Sequence, residues 1–380
     1  MWNINELFCK TTEIRTLPDI ALGDGIEAFK FKSAPYGHLD DTWPFAAIGI
    51  PSDYQKGEQY PAVILIHGGA GQVFPDWIKY WNNLGFIAVA LDMFGYEINK
   101  DGKKVLNPEA AYNGEPHGSI YSGVNYPEQS WVYHSVYNVI MLNNMLRARA
   151  DVDVDKIVAT GISWGGYITN IVAGVDTRLA AFAPVYGSGF IYDDAFWIDK
   201  GPFAGSRCNE WIKLYDPSSY VHAATKPMMF VSGVDDGCFA VKCRMRTAEL
   251  VKSKVYFSQR TDLEHGHYWD KTPEINAFFR QVLYGEPSLT ELGDITLDNG
   301  MATLHSSNDL FERVNFVYTI SKNDNSHDWV WESTEVQKKN GCYSCPVSEN
   351  VTAYYFEVMA DEKKGSGDML FRQSTKIMFA

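Results

Sequence analysis

Continuous apolar runs are the first pattern along this chain. Residues 60–67 (YPAVILIH) and 85–92 (GFIAVALD) show no polar alternation, as expected for parallel strands that are buried on both faces. Residues 227–233 (PMMFVSG) follow the same pattern. Residues 130–149 show an apolar periodicity of the helical type. Strands that alternate with helices predict an α/β fold with a mostly parallel sheet, right-handed crossovers and helices on both faces.

The pattern changes after residue 286. From there to residue 380, short segments with turn residues between them replace the long apolar runs, as in residues 314–320 (VNFVYTI). No helical period persists across this part, and such segments are typical of a small antiparallel β-sandwich.

We therefore predict two domains. Residues 1–286 are expected to form the α/β domain, which begins with an N-terminal extension over residues 1–45. A segment rich in Trp, Tyr and Gly, residues 187–221, is predicted to be a lid-like insertion in this domain. Residues 287–380 are expected to form the β-sandwich.

Composition and charge narrow the range of partners. The 380 residues are 46% hydrophobic and carry a net charge of −14, so a large core is expected and nucleic acid is disfavoured. No run approaches the roughly 18 apolar residues of a membrane span, so no membrane partner is expected. The first residues lack the basic and apolar parts of a signal peptide. A cytoplasmic protein and a secreted or periplasmic one with its signal removed both fit, and the compartment stays unknown.

Cysteine spacing gives little support for a metal. The six cysteines are scattered, and Cys342 and Cys345 form one C-x-x-C without a second pair at the spacing of a zinc site. We expect no metal and no cofactor. The oligomeric state stays open, with a homo-oligomer among the alternatives.

A G-x-S-x-G pattern at residues 161–165 is the strongest chemical signal. It lies between the apolar segment 155–160 and an apolar, glycine-containing segment that is predicted to be a helix. Strand, sharp turn and helix are the context in which this pattern forms a nucleophile elbow. Ser163 is therefore the predicted nucleophile.

A serine nucleophile needs a base and an acid that orients the base. In chain order the acid is expected after a late strand, and Asp236 follows the strand-ending glycine by three residues, with Asp235 as the alternative. The base is expected in the loop before the last helix. Two histidines lie there; we favour His265, with His267 as the alternative that would line the pocket or bond to a backbone carbonyl.

Backbone N–H groups must also stabilise the oxyanion of the tetrahedral intermediate. Trp164, directly after the nucleophile, is expected to supply one of them. The other is expected from the loop at residues 67–71 (HGGAG), with Gly69 as the donor and Ala70 as the alternative.

Together these motifs resemble the α/β-hydrolase superfamily, and specifically the bacterial acetylxylan-esterase-like hydrolases. The resemblance is densest over residues 131–190 and covers roughly residues 45–285. The strongest matches are TGISWGGY at 160–167, PVYGSGF at 184–190, GVDD at 233–236 and HGH at 265–267. The β-rich tail resembles the immunoglobulin-like appendage of some members.

The resemblance implies an α/β-hydrolase fold, a Ser-His-Asp triad and hydrolysis of acyl esters, often acetyl groups on xylan or xylo-oligosaccharides. An acylated carbohydrate or another small ester is the expected substrate. Alternatives are an acylaminoacyl- or dipeptidyl-peptidase-like hydrolase, a broad-specificity carboxylesterase and a degenerate hydrolase that only binds.

Aromatic residues are candidates for substrate contact. Trp197 and Trp211 lie in the insertion, and Tyr186 directly precedes it; ordinary packing is the alternative for all of them. In the tail, Trp329 and Trp331 would share one face of a strand. We expect them to brace the α/β domain, with carbohydrate binding as the alternative.

Overall fold

A computed structural model describes residues 1–111, 126–194, 196–197, 207–307, 310–339, 341–360 and 371–380. Residue 195 and residues 198–206 of the predicted insertion lie outside the described residues, so the lid-like character of the whole segment stays a prediction.

The described residues form the following helices and strands. The α-helices are α1 (Ile4–Phe8), α2 (Pro75–Asn83), α3 (Trp131–Arg147), α4 (Trp164–Val175), α5 (Arg207–Tyr215), α6 (Val241–Glu249) and α7 (Glu274–Tyr284). The strands up to the end of the predicted α/β domain are β1 (Ile14–Thr16), β2 (Ile26–Phe31), β3 (Phe45–Gly49), β4 (Tyr60–Ile66), β5 (Ile87–Leu91), β6 (Tyr96–Ile98), β7 (Lys104–Leu106), β8 (Val152–Ile162), β9 (Phe182–Val185), β10 (Met228–Gly233) and β11 (Val255–Arg260). The strands of the tail are β12 (Thr296–Asp298), β13 (Met301–Leu304), β14 (Arg313–Thr319), β15 (Glu332–Glu335), β16 (Tyr343–Pro346), β17 (Ala353–Ala360), β18 (Phe371–Ser374) and β19 (Met378–Phe379).

A large mixed sheet organises the molecule. Its central strands run in the order β5-β4-β8-β9-β10-β11 and are parallel, while β1, β2 and β3 add an antiparallel edge. The apolar runs of the sequence are these central strands; all five residues of β5 are buried. The predicted α/β class with a mostly parallel sheet is therefore confirmed.

Strand register brings the predicted site together. Ile66 at the end of β4 pairs with Gly161 of β8, and Gly161 pairs with Pro184 of β9. Val185 pairs in turn with Val231 of β10. Because parallel strands end at the same edge, the loops after β4, β8 and β10 meet at one rim of the sheet.

The tail is less separate than the sequence predicts. Strand β18 pairs with β11 through Phe257 and Ser374, so β18, β17, β14 and β15 continue the central sheet. A second sheet, β12-β13-β16, packs on these strands, with Ala302 and Leu304 in one apolar cluster with Phe316 and Phe356. The tail is thus two packed sheets, one of which is shared; the boundary at residues 286/287 stays a prediction.

The opposite face of the tail sheet packs against the α/β domain. There Val317, Tyr355 and Trp329 form one buried cluster with Val241 and Met245 of α6. The same cluster contains Val234, two residues before Asp236.

Across the described ranges, none of the helices combines the length and the apolar character that a membrane crossing requires.

Candidate active site

Ser163 occupies a strained turn between β8 and α4. Its backbone has φ 60° and ψ −118°, a conformation that side chains rarely adopt and that is typical of a nucleophile elbow. The Ser163 N–H donates to the carbonyl of Val185 at 2.9 Å, which fixes the turn on β9. A Cβ on Gly165 would collide with the carbonyl of Ile66, so only glycine lets α4 approach β4 this closely.

Three predicted side chains form one hydrogen-bonded line. Ser163 Oγ lies 2.9 Å from His265 Nε2, and His265 Nδ1 lies 3.0 Å from Asp236 Oδ2. A carboxylate only accepts hydrogen bonds, so Nδ1 carries a proton and donates it to Asp236. Nε2 is then free to accept the hydroxyl proton of Ser163, which is the geometry that a general base requires.

Asp236 is held rigidly in its loop. Its Oδ1 accepts hydrogen bonds from the backbone N–H groups of Cys238 at 2.7 Å and Phe239 at 2.9 Å. Burial raises the pKa of this carboxyl, but the His265 imidazole and the charge of Arg244 outweigh it and hold the pKa of Asp236 below its usual range. The alternative acid, Asp235, is exposed and lies outside the line.

His265 lies between Ser163 and Asp236 and bonds to both. Burial lowers the pKa of this imidazole, but hydrogen bonding to Asp236 more than compensates, so the pKa of His265 is raised. The Tyr186 ring lies 4.6 Å from the His265 ring, centroid to centroid, and its hydroxyl donates to the Glu264 carbonyl at 2.5 Å. Tyr186 therefore contacts the predicted base and its loop.

His267, the alternative base, faces another part of the site. Its Nε2 accepts a hydrogen bond from the Gly68 N–H at 2.9 Å. Of the two predicted alternatives, lining the pocket or bonding to a backbone carbonyl, the second is therefore not what this nitrogen does. Burial, with the nearby charges of His67 and His265, lowers the pKa of His267 to about 4. His267 is thus a neutral acceptor that anchors the loop after β4.

The predicted oxyanion donors face the same rim. Among the described residues, the backbone N–H groups of Gly69, Ala70 and Trp164 have no hydrogen-bond acceptor. A Cβ on Gly69 would lie 3.1 Å from Trp164 Cδ1, so this glycine permits the close approach of loop and helix. Ala70 has φ 57°, so this loop is strained as well. The oxyanion role of the three residues stays a prediction.

The predicted substrate-contacting aromatics differ in their positions. Trp197 is partly exposed, and its ring lies 4.8 Å from that of Trp164. Trp211 is only 1% exposed and packs on Tyr167 and Tyr215, which fits the packing alternative rather than substrate contact. Tyr186 is also buried.

One cluster in the described part of the chain has the residue types of a metal site. The ligand atoms of Asp236, Cys238 and His265 lie within 4.8 Å of one another. The carboxylate and the imidazole nitrogen already bind each other, so this cluster is explained without a metal.

Two residues without a recognisable sequence signal contact the loop that contains Asp236. Asp194 accepts a hydrogen bond from the Ala240 N–H at 2.7 Å. His327, from the tail, lies 2.9 Å from the Asp236 carbonyl oxygen through its Nδ1. Because His327 is 91 positions from Asp236 in the chain, no local pattern could have indicated this contact.

The profile of the acetyl xylan esterase (AXE1) family matches residues 46–248, more than half of the chain. The chain belongs to this family. The matched segment contains Ser163, Asp236 and the loop after β4, whereas His265 lies outside it.

Solved structures support the same fold. The acetyl xylan esterase from Paenibacillus sp. R4 superimposes with a TM-score of 0.58 at 16% identity, covering 74% of this chain and 92% of that one. Acetyl xylan esterase 1 from Thermoanaerobacterium sp. JW/SL YS485 gives a TM-score of 0.54 at 16% identity, with the same coverage. The predicted α/β-hydrolase fold is confirmed.

One relative is named for a peptidase and not for an esterase. Dipeptidyl-peptidase 5 of Schizosaccharomyces pombe is 31% identical over 217 residues, which are 53% of this chain. The match spans only 28% of that protein's length. The family and this relative therefore agree on a hydrolase and differ on the bond that is cleaved.

Proposed function

We propose that this chain is a serine carboxylester hydrolase that removes acyl groups, chiefly acetyl, from carbohydrate such as xylan or xylo-oligosaccharides. The observation that carries the proposal is the continuous hydrogen-bonded line from Ser163 through His265 to Asp236. Membership of the acetyl xylan esterase family supports the ester as the bond that is cleaved.

In the acylation step, Ser163 Oγ attacks the acyl carbon while its proton moves to His265 Nε2. Asp236 stabilises the imidazolium that forms and keeps it in the required orientation. The N–H groups of Gly69 and Trp164 bind the oxyanion. When the tetrahedral intermediate collapses, the ester C–O bond breaks, and Nε2 returns the proton to the sugar oxygen that leaves.

In the deacylation step, a water molecule takes the place of the departed sugar. His265 Nε2 accepts a proton from this water as it attacks the acyl carbon. The second tetrahedral intermediate collapses with release of the carboxylic acid, and the proton returns to Ser163 Oγ. The enzyme is regenerated, and no cofactor is consumed.

Partly exposed aromatic side chains near the triad fit a sugar substrate. Trp197 packs beside Trp164 and lies 5.8 Å from Phe239, ring centroid to ring centroid. The partly exposed Trp269 lies 5.3 Å from Phe74, ring centroid to ring centroid, and the Phe74 ring in turn contacts His267. Such flat apolar faces complement the apolar face of a pyranose ring.

A peptidase is the second candidate, and it rests on the 31% identity to a dipeptidyl-peptidase 5. The same triad would cleave an amide through an acyl-enzyme, with His265 giving its proton to the leaving amine. The two candidates therefore share the chemistry and differ in the substrate.

Parallel assays of the full chain test the choice. Acetate release from acetylated xylo-oligosaccharides is measured beside hydrolysis of p-nitrophenyl acetate, p-nitrophenyl butyrate and dipeptidyl p-nitroanilides. The proposal predicts the highest kcat/KM on the acetylated sugars. A higher kcat/KM on the dipeptidyl anilides would establish the peptidase, and turnover of the p-nitrophenyl esters alone would indicate a carboxylesterase with another natural substrate.

A further inference from the structure

His327 reaches from the tail into the α/β domain. It lies in a short 3₁₀ turn (Ser326–Asp328), where the Asn325 side chain accepts a hydrogen bond from the His327 N–H at 3.3 Å. Its ring places Nδ1 at 2.9 Å from the Asp236 carbonyl oxygen and Nε2 at 2.6 Å from Asp194 Oδ1. One side chain of the tail thus contacts both the predicted catalytic acid and the start of the insertion.

These contacts hold the acid loop, residues 236–240, at both ends. His327 binds the carbonyl of Asp236 at the first residue, and Asp194 Oδ2 accepts the N–H of Ala240 at the last. Since Asp194 also binds His327, the two ends are joined through one ion pair. Asp194 is 0% exposed, so water does not compete for these bonds.

The hydrogen bonds define the charge of His327. Both partners, a carbonyl oxygen and a carboxylate oxygen, are acceptors, so both ring nitrogens must donate. The imidazole is therefore the cation. Burial lowers the pKa of His327, but the hydrogen bond and charge of Asp194 outweigh it, and the pKa is raised.

The same contacts extend to the wall of the site. Asp194 Oδ1 also accepts the N–H of Phe196 at 3.0 Å, and the Asp194 carbonyl accepts the N–H of Trp197 at 3.0 Å. The Trp197 ring packs on Trp164. The His327–Asp194 pair is therefore bonded both to the acid loop and to the segment that holds Trp197 against Trp164.

We infer that His327 is a positioning residue, supplied by the β-rich tail, that fixes the acid loop and the Trp197 wall for catalysis. This inference rests on the proposed function, because it assigns Asp236 as the acid of the triad. It makes the tail part of the active-site machinery, acting through Asp236 and Asp194 and not through contact with substrate.

Kinetics of His327 variants in the full chain test the inference. The probe is p-nitrophenyl acetate, and the active sites are counted by labelling Ser163 to completion with a fluorophosphonate, which corrects for misfolded protein. For His327→Ala we expect kcat per active site to fall about 10- to 100-fold with KM changed little, because a displaced acid misorients the base. His327→Gln, which keeps an N–H donor, is expected to recover part of the loss.

The matched control is His305→Ala. His305 lies in the same tail, is exposed and bonds to the Thr296 hydroxyl, so this variant is expected to keep the wild-type kcat. Asp194→Asn is expected to lower kcat as well. In the double variant with His327→Ala, kcat is expected to fall by less than the product of the two single losses, since both changes break the same His327–Asp194 pair.

The outcomes are distinct. A His327→Ala protein whose kcat per active site stays within about twofold of wild type overturns the inference, because substitutions at surface residues without a special role have effects of about that size. A His327→Ala protein that has fewer active sites but an unchanged kcat per active site also overturns the inference. If His327→Ala does not fold, His327→Gln and Asp194→Asn are judged by the same criterion. Full activity of Ser163→Ala would instead overturn the proposed function.

Discussion

At the scale of single residues, the two histidines of one loop have opposite environments. His265 faces Asp236 and Ser163, whereas His267 faces the Gly68 N–H among apolar rings. A carboxylate partner raises the pKa of His265, while burial lowers that of His267 to about 4. This difference supports the proposed role of His265 in proton transfer, whereas His267 holds the loop after β4 through the Gly68 N–H.

The raised pKa of His265 predicts a pH dependence. The base acts only when neutral, and despite burial the hydrogen bond and charge of Asp236 raise the pKa of His265 from its ordinary value to about 10, so kcat/KM should keep rising as pH increases from neutral into the alkaline range. Asp236 stays ionised throughout, because its pKa is lowered. Acetate release measured against pH should give a midpoint above pH 6.5; a midpoint below about 6 would contradict the assignment of the base.

Variants of the neighbouring residues Asp235 and Asp236 test which carboxylate orients the base. Asp236→Asn keeps the shape of the side chain but removes the charge that orients His265, so we expect kcat to fall roughly ten-thousandfold. Asp235→Asn changes an exposed residue and should leave kcat within about twofold of wild type. Steady-state kinetics of the two variants decide; the reverse order of effects would make Asp235 the acid.

Much of the candidate site could be predicted because its residues follow a fixed chain order. The elbow pattern indicates Ser163, and the strand-ending Gly233 points to the loop of Asp236. His265 and His267 could not be separated, since their difference comes from packing against Asp236 and Gly68. No pattern in the sequence indicated His327, because its contacts depend on how the tail packs against the α/β domain.

At the scale of elements, the elbow depends on the close packing of α4 on the central sheet. The start of α4 lies directly over the ends of β4 and β8, and the helix has ten buried residues. This packing fixes the Ser163 turn relative to the loop after β4.

Gly165→Ala should disrupt this packing. The added methyl would overlap backbone atoms of Ile66 and His67, which can give way only if strand and helix separate. We expect a loss of about 3 kcal/mol or more in the free energy of unfolding. Denaturant unfolding measures it. Gly293→Ala, where the new methyl meets only ordinary contacts, is the control; equal stability of both variants would show that the elbow tolerates a wider spacing.

Sequence periodicity predicts the strands themselves better than it predicts which strands pair with each other. The runs that became β4, β5 and β10 are continuous and apolar because both faces of these strands are covered. The tail strands were recognised, but short alternating segments do not specify a neighbour. The pairing of β18 with β11 therefore could not be predicted.

At the scale of the whole molecule, several kinds of contact join the tail to the α/β domain. The shared sheet is one connection, and the apolar cluster of Trp329, Val317 and Tyr355 against α6 is another. An ionic link adds to these, since Arg372 of the tail binds Asp262 at 2.8 Å. These contacts favour the bracing interpretation of the tail over carbohydrate binding through Trp329.

Adjacent tail residues provide a direct test of bracing. Trp329 is 4% exposed and its Nε1–H donates to the Asn323 carbonyl, so Trp329→Ala should cost about 3–5 kcal/mol of unfolding free energy. Val330 is 70% exposed, and Val330→Ala should change it by less than about 0.5 kcal/mol. Unfolding curves of the two variants are compared. A stable Trp329→Ala protein that has lost binding to xylan would instead assign Trp329 to carbohydrate.

Comparison of Ser163→Ala with the wild type in acetate release from acetylated xylo-oligosaccharides tests the central claim most directly. The Oγ of Ser163 is the atom that forms the acyl-enzyme, so its removal should abolish most of a roughly million-fold rate enhancement while the fold is kept. We predict that turnover in the variant falls to the background of the assay. A folded Ser163→Ala protein that still releases acetate at more than about one hundredth of the wild-type rate would contradict the triad mechanism.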